Sequence, residues 1–225
     1  MSGLVGIIAN DSARYSLFAS CVTRLQVPEG TRLEWLIGGD WCGARNTLVD
    51  LVLGSDAEFL WFMDDDHAFP HDLLLRLLAH DLPLITPVCL QRTSPFLPVQ
   101  FTAENEHAPG DGKYLPVYLP GFPDEGVIEL VGGGCAGMLI RREVLEAIKP
   151  PWFEHTEVSE DLLFCEKAKA AGFSIHCDLS ARLGHITTTV VWPAVRDDEW
   201  VVGLTVGRDM QLFVPMYGGK EIGVT

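Results

Sequence analysis

The sequence predicts an α/β fold: a mostly parallel central sheet flanked by helices, with a small β-rich insertion. Three observations lead there. Short apolar runs alternate with helical segments over residues 4–88 in a βαβαβαβ series, and such alternation implies a parallel sheet joined by right-handed crossovers. The run Phe59-Leu60-Trp61-Phe62-Met63 is apolar at every position, so it reads as a strand buried on both faces, and it ends abruptly in Asp64-Asp65-Asp66. Residues 91–126 then become rich in proline and glycine, with short β-like pieces at 99–101 and 114–119.

Taken in order, residues 4–9 make the first strand. Asp11 or Ser12 caps a helix running toward Leu25, which Pro28-Glu29-Gly30 breaks. A second strand spans 33–37 and a helix 44–53. The aspartate-ended strand covers 58–64, Pro70 opens a helix through Ala79, and a strand follows at 84–88. Beyond the insertion come a strand at 127–131, a glycine cluster, the strand-like Met138-Leu139-Ile140, and a helix over 142–148 that Pro150-Pro151 ends. Ser159 caps a further helix through Ala171, and Gly172 stands where left-handed backbone ends it. A strand at 173–177 follows, and the tail after Thr187 is β-leaning. No repeat, linker or low-complexity segment interrupts the chain, so one domain over 1–225 is expected.

With 225 residues, 48% of them hydrophobic, and a mean hydropathy of +0.18, the chain can bury a substantial core. A net charge of -15 disfavours a protein that grips nucleic acid by neutralising phosphates over a broad surface. No basic-then-apolar leader is visible, and no apolar run approaches the roughly 20 residues of a membrane span, so a cytoplasmic protein without a membrane span is expected. The six cysteines form no CxxC pair, which points to free buried thiols in a reducing compartment.

Side chains alternate along an extended chain, so Asp64 and Asp66 point to one side and Asp65 to the other. Two carboxylates about 5 Å apart repel by roughly 3 kcal/mol at an effective dielectric near 20, and a hard divalent ion relieves this. Carboxylate oxygens suit Mg²⁺ or Mn²⁺, whose shells are commonly completed by substrate phosphates. The plain alternative is a solvated acidic turn. Three further pieces stand downstream or nearby: Arg45-Asn46, Ser159-Glu160-Asp161 and Gly184-His185. Each has a bland reading, as a surface ion pair, as acids favoured in any first helical turn, and as a packed histidine.

In this order on an alternating chain, Asp64-x-Asp66, Arg45-Asn46, Glu160-Asp161 and Gly184-His185 resemble the GT-A fold glycosyltransferases, family-2-like, over residues 4–185. The resemblance implies that Asp66 binds the metal bridging a nucleotide-sugar diphosphate, with Asp64 nearer the ribose or the metal shell, Asp65 beside them, and His185 the third metal ligand. It implies that Asp161, beside Glu160, is the base that deprotonates an acceptor hydroxyl, with inversion at the sugar. Arg45 would contact diphosphate or base, and Asn10, Asp11 and Asp40 the nucleoside. The small-residue loop at Gly133 and Gly134 would face donor sugar and acceptor. His67 and His71 are rival ligands, but His67, one residue after Asp66, should point away from the metal face. Trp152, Trp192 and Trp200 are candidates for stacking on sugars, with burial as the default.

Departures accompany the match. The first strand ends Ile8-Ala9-Asn10-Asp11 and the second Gly38-Gly39-Asp40, neither with the family's usual turn, so the base is not readable. The Gln-x-x-Arg-Trp motif of processive synthases is absent, which favours single transfer to a hydroxyl on a glycan, protein or small molecule. Gly132-Gly133-Gly134-Cys135-Ala136-Gly137 satisfies G-x-G-x-x-G, but the residues after it read as strand where a dinucleotide fingerprint needs a helix. Two alternatives stay open: a nucleotidyltransferase acting on a sugar phosphate, and a non-catalytic GT-A-like module that binds sugar or metal.

Overall fold

The computed structural model describes residues 1–9, 15–92, 95–105, 108–187, 189–206 and 210–216. The first half follows the expected alternation: β1 (Leu4–Ala9), α1 (Ser16–Arg24), β2 (Arg32–Ile37), α2 (Trp41–Leu53), β3 (Phe59–Asp64), the two-residue β4 (His67–Ala68), α3 (Leu73–Ala79) and β5 (Leu84–Cys89). The proline- and glycine-rich stretch supplies β6 (Gln100–Glu104) and β7 (Tyr114–Pro116). Then come β8 (Val127–Leu130), β9 (Gly132–Gly133), β10 (Leu139–Arg141), α4 (Arg142–Ala147), α5 (Glu160–Ala170), β11 (Ile175–Ile186), β12 (Val190–Arg196), β13 (Glu199–Val206) and β14 (Met210–Pro215).

The main sheet runs β14-β13-β12-β11-β5-β10-β3-β1-β2, with β4 and β8 also paired to β11; a separate three-stranded sheet, β7-β6-β9, forms the insertion. The mostly parallel sheet expected from the sequence gives way to a mixed one. Parallel pairing joins β2 to β1, β1 to β3, and β5 to β11. Antiparallel pairing dominates elsewhere for two reasons. First, β10 inserts between β3 and β5 after the glycine cluster turns the chain back: Gly137 has φ +77, and a Cβ there would stand 2.6 Å from Pro87 Cγ. Second, the β-leaning tail folds as an antiparallel meander, β12 to β14, on the end of β11. The strand β10 after the glycines also removes the dinucleotide reading of that cluster.

Period-two alternation divides the core between the two faces of the sheet. Leu4, Ile8, Leu60 and Phe62 pack with Leu48, Val49 and Val52 of α2, Val144 and Leu145 of α4, and Phe164 and Cys165 of α5. Val5, Ile7, Phe59, Trp61 and Met63 pack on the opposite face with Phe18 and Cys21 of α1 and Leu73, Leu74 and Leu77 of α3. A Cβ at Gly6 would stand 2.7 Å from Leu48 Cδ1, so the bare glycine lets α2 lie close against β1.

Boundaries moved where side-chain chemistry outweighed periodicity. The α2 helix begins at Trp41, a turn earlier than the apolar pattern suggested, because Asp40 Oδ2 accepts from the Gly43 N–H at 2.8 Å as an N-cap. Ser159 holds the cap position of α5 without a side-chain capping bond, and Gly172 ends that helix with φ +93. The expected caps of α1, Asp11 and Ser12, lie outside the described residues. All six cysteines are buried free thiols, and among the described residues no helix is long and apolar enough to cross a membrane.

Candidate functional site

The carboxyl ends of β3, β5 and β11 and the start of α5 meet around one cavity of about 800 Å³. Its wall includes Arg45, Asp64, Asp65, Asp66, His67, Gly134, Glu160, Asp161 and His185, which the sequence had singled out, and also Gln91, Arg92, Tyr15, Trp41 and Tyr114. Gly133 lies in β9, buried behind Gly134. Asp40 stands outside this wall, capping α2 and pairing with His155. Asn10 and Asp11 lie outside the described residues.

Asp64 is the last residue of β3, and the chain turns at Asp65 and Asp66 before entering β4. Backbone bonds fasten this turn on both sides: the Asp65 N–H donates to Ile8 O at 3.1 Å, and the Ile186 N–H donates to Asp66 O at 2.7 Å. Strict alternation ends with the strand, which is why Asp65 shares the cavity wall with its neighbours. The same turn corrects the orientation expected for His67. That side chain faces the acids: Nδ1 is 3.0 Å from Asp66 Oδ1, and β4 pairs His67 with His185 of β11.

Asp66 is held by both a guanidinium and an imidazole. Its Oδ2 lies 2.8 Å from Arg92 Nη1 and 3.3 Å from His185 Nε2. Burial alone would raise its pKa, but His185 and His67 beside it more than reverse that and hold the carboxyl well below the usual range. Burial likewise disfavours charge on His67, yet the adjacent Asp66 and Cys89 push its pKa up to about 10. His185 Nδ1 donates to Leu90 O at 3.0 Å, a bond a carbonyl can only accept, and this fixes Nε2 as the nitrogen turned toward Asp66. A Cβ at Gly184 would press within 2.9 Å of the Trp192 ring, so the Gly184-His185 pair combines a packing need with a polar one.

Asp64 behaves differently. Burial, the leading influence, raises its pKa, with Arg45 opposing, and its Oδ1 has no hydrogen-bond partner. Arg45, only 3% exposed, is the hub between this acid and α5: Nη1 donates to Glu160 Oε1 at 2.7 Å, and Nη2 lies 3.4 Å from Asp161 Oδ1 and 3.9 Å from Asp64 Oδ1. Its guanidinium sits 5.9 Å from the Phe62 ring centre and 5.8 Å from that of Phe153. Burial pulls its pKa down, but Asp161 and the other negative neighbours outweigh this and keep it charged. Asn46, the other half of the motif, ties α2 to the segment leading into α5, with Nδ2 donating to Phe153 O and Oδ1 accepting from the Trp152 and Phe153 N–H groups.

Asp161 Oδ2 accepts from the Cys135 N–H at 3.0 Å, which anchors the carboxylate to the loop after Gly134; its Oδ1 is buried without a hydrogen-bond partner. The Oδ1 atoms of Asp64 and Asp161 are thus buried with the Arg45 charge beside them but without a hydrogen bond. Two carboxylates and an imidazole fit a divalent ion such as Mn²⁺ or Mg²⁺ in their chemistry. Of the tryptophans considered for sugar stacking, Trp152 and Trp200 are core residues, each donating to a backbone carbonyl, Leu145 O and Phe122 O. An aromatic exposed on the cavity wall is instead Trp41, at 48% exposure, which the sequence reading did not consider because it began that helix at residue 44. Arg92 gave no sequence signal; only the end of β5 puts it there.

No family model and no curated protein matches the chain. Among solved structures it is similar to A197 from STIV, with a TM-score of 0.63 at 17% identity over 93% of this chain and 98% of that one, which shows a shared fold. It is also similar to S. aureus TarS 1-349 in complex with UDP-GlcNAc, with a TM-score of 0.46 at 12% identity over 78% of this chain and 55% of that one. Neither identity assigns an activity.

Proposed function

We propose that this chain is a metal-dependent glycosyltransferase of the GT-A type, transferring a sugar from a nucleotide-diphosphate sugar to an acceptor hydroxyl on a glycan, protein or small molecule. The observation that carries the reading is the meeting of Asp64, Asp66 and His185 with Asp161 on the wall of one cavity, with oxygens of Asp64 and Asp161 that lack a hydrogen bond. In this reading Asp64, Asp66 and His185 hold Mn²⁺ or Mg²⁺. When bound, such an ion supplies Lewis-acid stabilisation to the charge that grows on a departing diphosphate.

The remaining work belongs to the chain itself. Asp161 is the general base: its carboxylate, held by the Cys135 N–H on Oδ2 and by Arg45 beside Oδ1, takes the proton of the attacking hydroxyl. Glu160 acts through Arg45, whose fixed charge sets the position of Asp161. A base of this kind on the acceptor side corresponds to inversion. Trp41 and Tyr15 offer aromatic surface to the donor on the same wall.

The test is a thermal-shift panel of nucleotide sugars with and without Mn²⁺, followed by transfer assays. A ligand at a hundred times its Kd stabilises by about 2.7 kcal/mol, and the shift should require sugar nucleotide and ion together. Asp161→Asn should keep that shift and lose transfer, which separates an enzyme from a binding module. Release of pyrophosphate from a nucleoside triphosphate with a sugar phosphate would favour a nucleotidyltransferase instead. No shift with any nucleotide sugar would end the proposal.

A further inference from the structure

We propose that His67 is a fourth protein ligand of the metal centre, and that the centre is therefore built for a borderline transition ion, of the Mn²⁺, Fe²⁺, Co²⁺ or Zn²⁺ class, over Mg²⁺ or Ca²⁺. The inference rests on the glycosyltransferase reading for the presence of an ion beside Asp64 and Asp66. It goes beyond it in the ligand set and the ion selected.

His67 is 2% exposed, and buried polar groups in folded proteins have partners. Its Nδ1 lies 3.0 Å from Asp66 Oδ1, an ion-pair contact, but makes no aligned hydrogen bond. A histidine kept only to orient Asp66 would make that bond. Instead, one ring nitrogen of His67, one oxygen of Asp64 and one oxygen of Asp66 all lie within 4.8 Å of one another. Ligands on opposite sides of an ion with bonds near 2.1 Å are about 4.2 Å apart, and adjacent ones are closer, so a small contraction closes this set on a single ion.

The second imidazole is delivered by the backbone. The antiparallel ladder pairs His67 directly with His185, and the two rings stack with centroids 4.5 Å apart and planes 23° apart. His185 presents Nε2 to Asp66 from one side, with its Nδ1 committed to Leu90 O, while His67 approaches the other Asp66 oxygen. The Cys89 thiol falls within 4.8 Å of donor atoms of both histidines, so the imidazole side of the site is edged by sulfur and not by further oxygen. Mg²⁺ and Ca²⁺ favour shells of oxygen, whereas imidazole nitrogen suits the transition ions.

The experiment counts nitrogen ligands directly. Purified unmodified protein is loaded with Mn²⁺ and its electron spin-echo modulation recorded with ¹⁴N- and ¹⁵N-histidine labelling. Two coupled imidazole nitrogens are expected, falling to one in His67→Gln and one in His185→Gln. Weaker Mn²⁺ binding in His67→Gln by itself would not suffice, because removing a hydrogen-bonding neighbour of a ligand also costs about 10- to 100-fold. A single nitrogen in the unmodified protein that persists in His67→Gln and vanishes in His185→Gln would overturn the role of His67 while leaving the Asp64, Asp66 and His185 centre intact. Failure to take up Mn²⁺, Co²⁺ or Zn²⁺ would overturn this inference, whereas the glycosyltransferase reading falls only if no nucleotide sugar gives a shift with Mn²⁺ or Mg²⁺ present. Selectivity is read by competition: Mg²⁺ at about a hundredfold excess should leave Mn²⁺ bound, and its displacement at that ratio would refute the preference.

Discussion

Arg45→Met removes the charge that joins the two acidic halves of the site while keeping a long apolar side chain between Phe62 and Phe153. At an effective dielectric near 20, the gross attractions of Arg45 to Glu160, Asp161 and Asp64 are about 6, 5 and 4 kcal/mol at the observed 2.7, 3.4 and 3.9 Å. Much of this offsets the desolvation of the buried guanidinium, and breaking a buried pair on one side costs about 3–5 kcal/mol net. The three acids each keep roughly a quarter of their side-chain surface open to the cavity. Water there softens the loss toward about 3 kcal/mol, or about 6–12 °C in Tm for a chain of this size. The charge argument also fixes a sign with pH. Burial already raises the pKa of Asp64, and Arg45 opposes the rise. With Arg45 gone the pKa rises further, so the ionised form destabilises the variant at neutral pH and protonation relieves it as pH falls through the raised value. Calorimetric unfolding at pH 7 and pH 4.5 should show the deficit shrinking in acid. A loss below about 1 kcal/mol at pH 7, or a deficit unchanged by pH, would refute the view that Arg45 holds the acids together.

Arg142→Ala should destabilise the fold by about 2–3 kcal/mol in urea unfolding, because its guanidinium caps the end of α2 and the turn beyond through Val52 O, Leu53 O, Ser55 O and Ala57 O; Arg142→Lys should recover only part, having the charge without the fork. Asp178→Asn should cost about 2 kcal/mol at pH 7, since Asp178 accepts from Ser180 N, Ser180 Oγ and Ala181 N and pairs with His80. Burial would raise the Asp178 pKa, but Ser180 and His80 lower it overall, so its stability is present above the ordinary carboxylate pKa and lost as pH falls through the depressed one. The penalty of the substitution should therefore fade in chemical unfolding below about pH 4. Gly137→Ala should lower Tm, read in calorimetric unfolding, because φ +77 strains any side chain there and its Cβ would stand 2.6 Å from Pro87 at the turn into β10.

The parts of this molecule legible in its sequence are those governed by local periodicity, and the parts that were not depend on partners far along the chain. Phe59 to Met63 announced a doubly buried strand because each residue had to be apolar whichever face it took, and the structure divides those residues between two cores. The short β10 was legible as strand-like at Met138-Leu139-Ile140, but nothing local showed that it would enter the centre of the sheet antiparallel, between β3 and β5. The polar Ser180 and Arg182 around the bulge of β11 hid the continuation of that strand to His185. His67 was turned the wrong way because alternation was carried past the strand into a turn that breaks it. Arg45-Asn46 shows the limit most clearly. The pattern named the right residues, but sequence spacing could not reveal that Arg45 looks inward at Glu160, 115 positions away, or that Asn46 ties down the backbone leading to that same helix. If the two residues serve to hold α5, their substitution should alter the position of Asp161 before it alters any contact with a donor. This makes the pair a structural prerequisite of the proposed base and explains why a motif legible as chemistry is carried out by packing and charge.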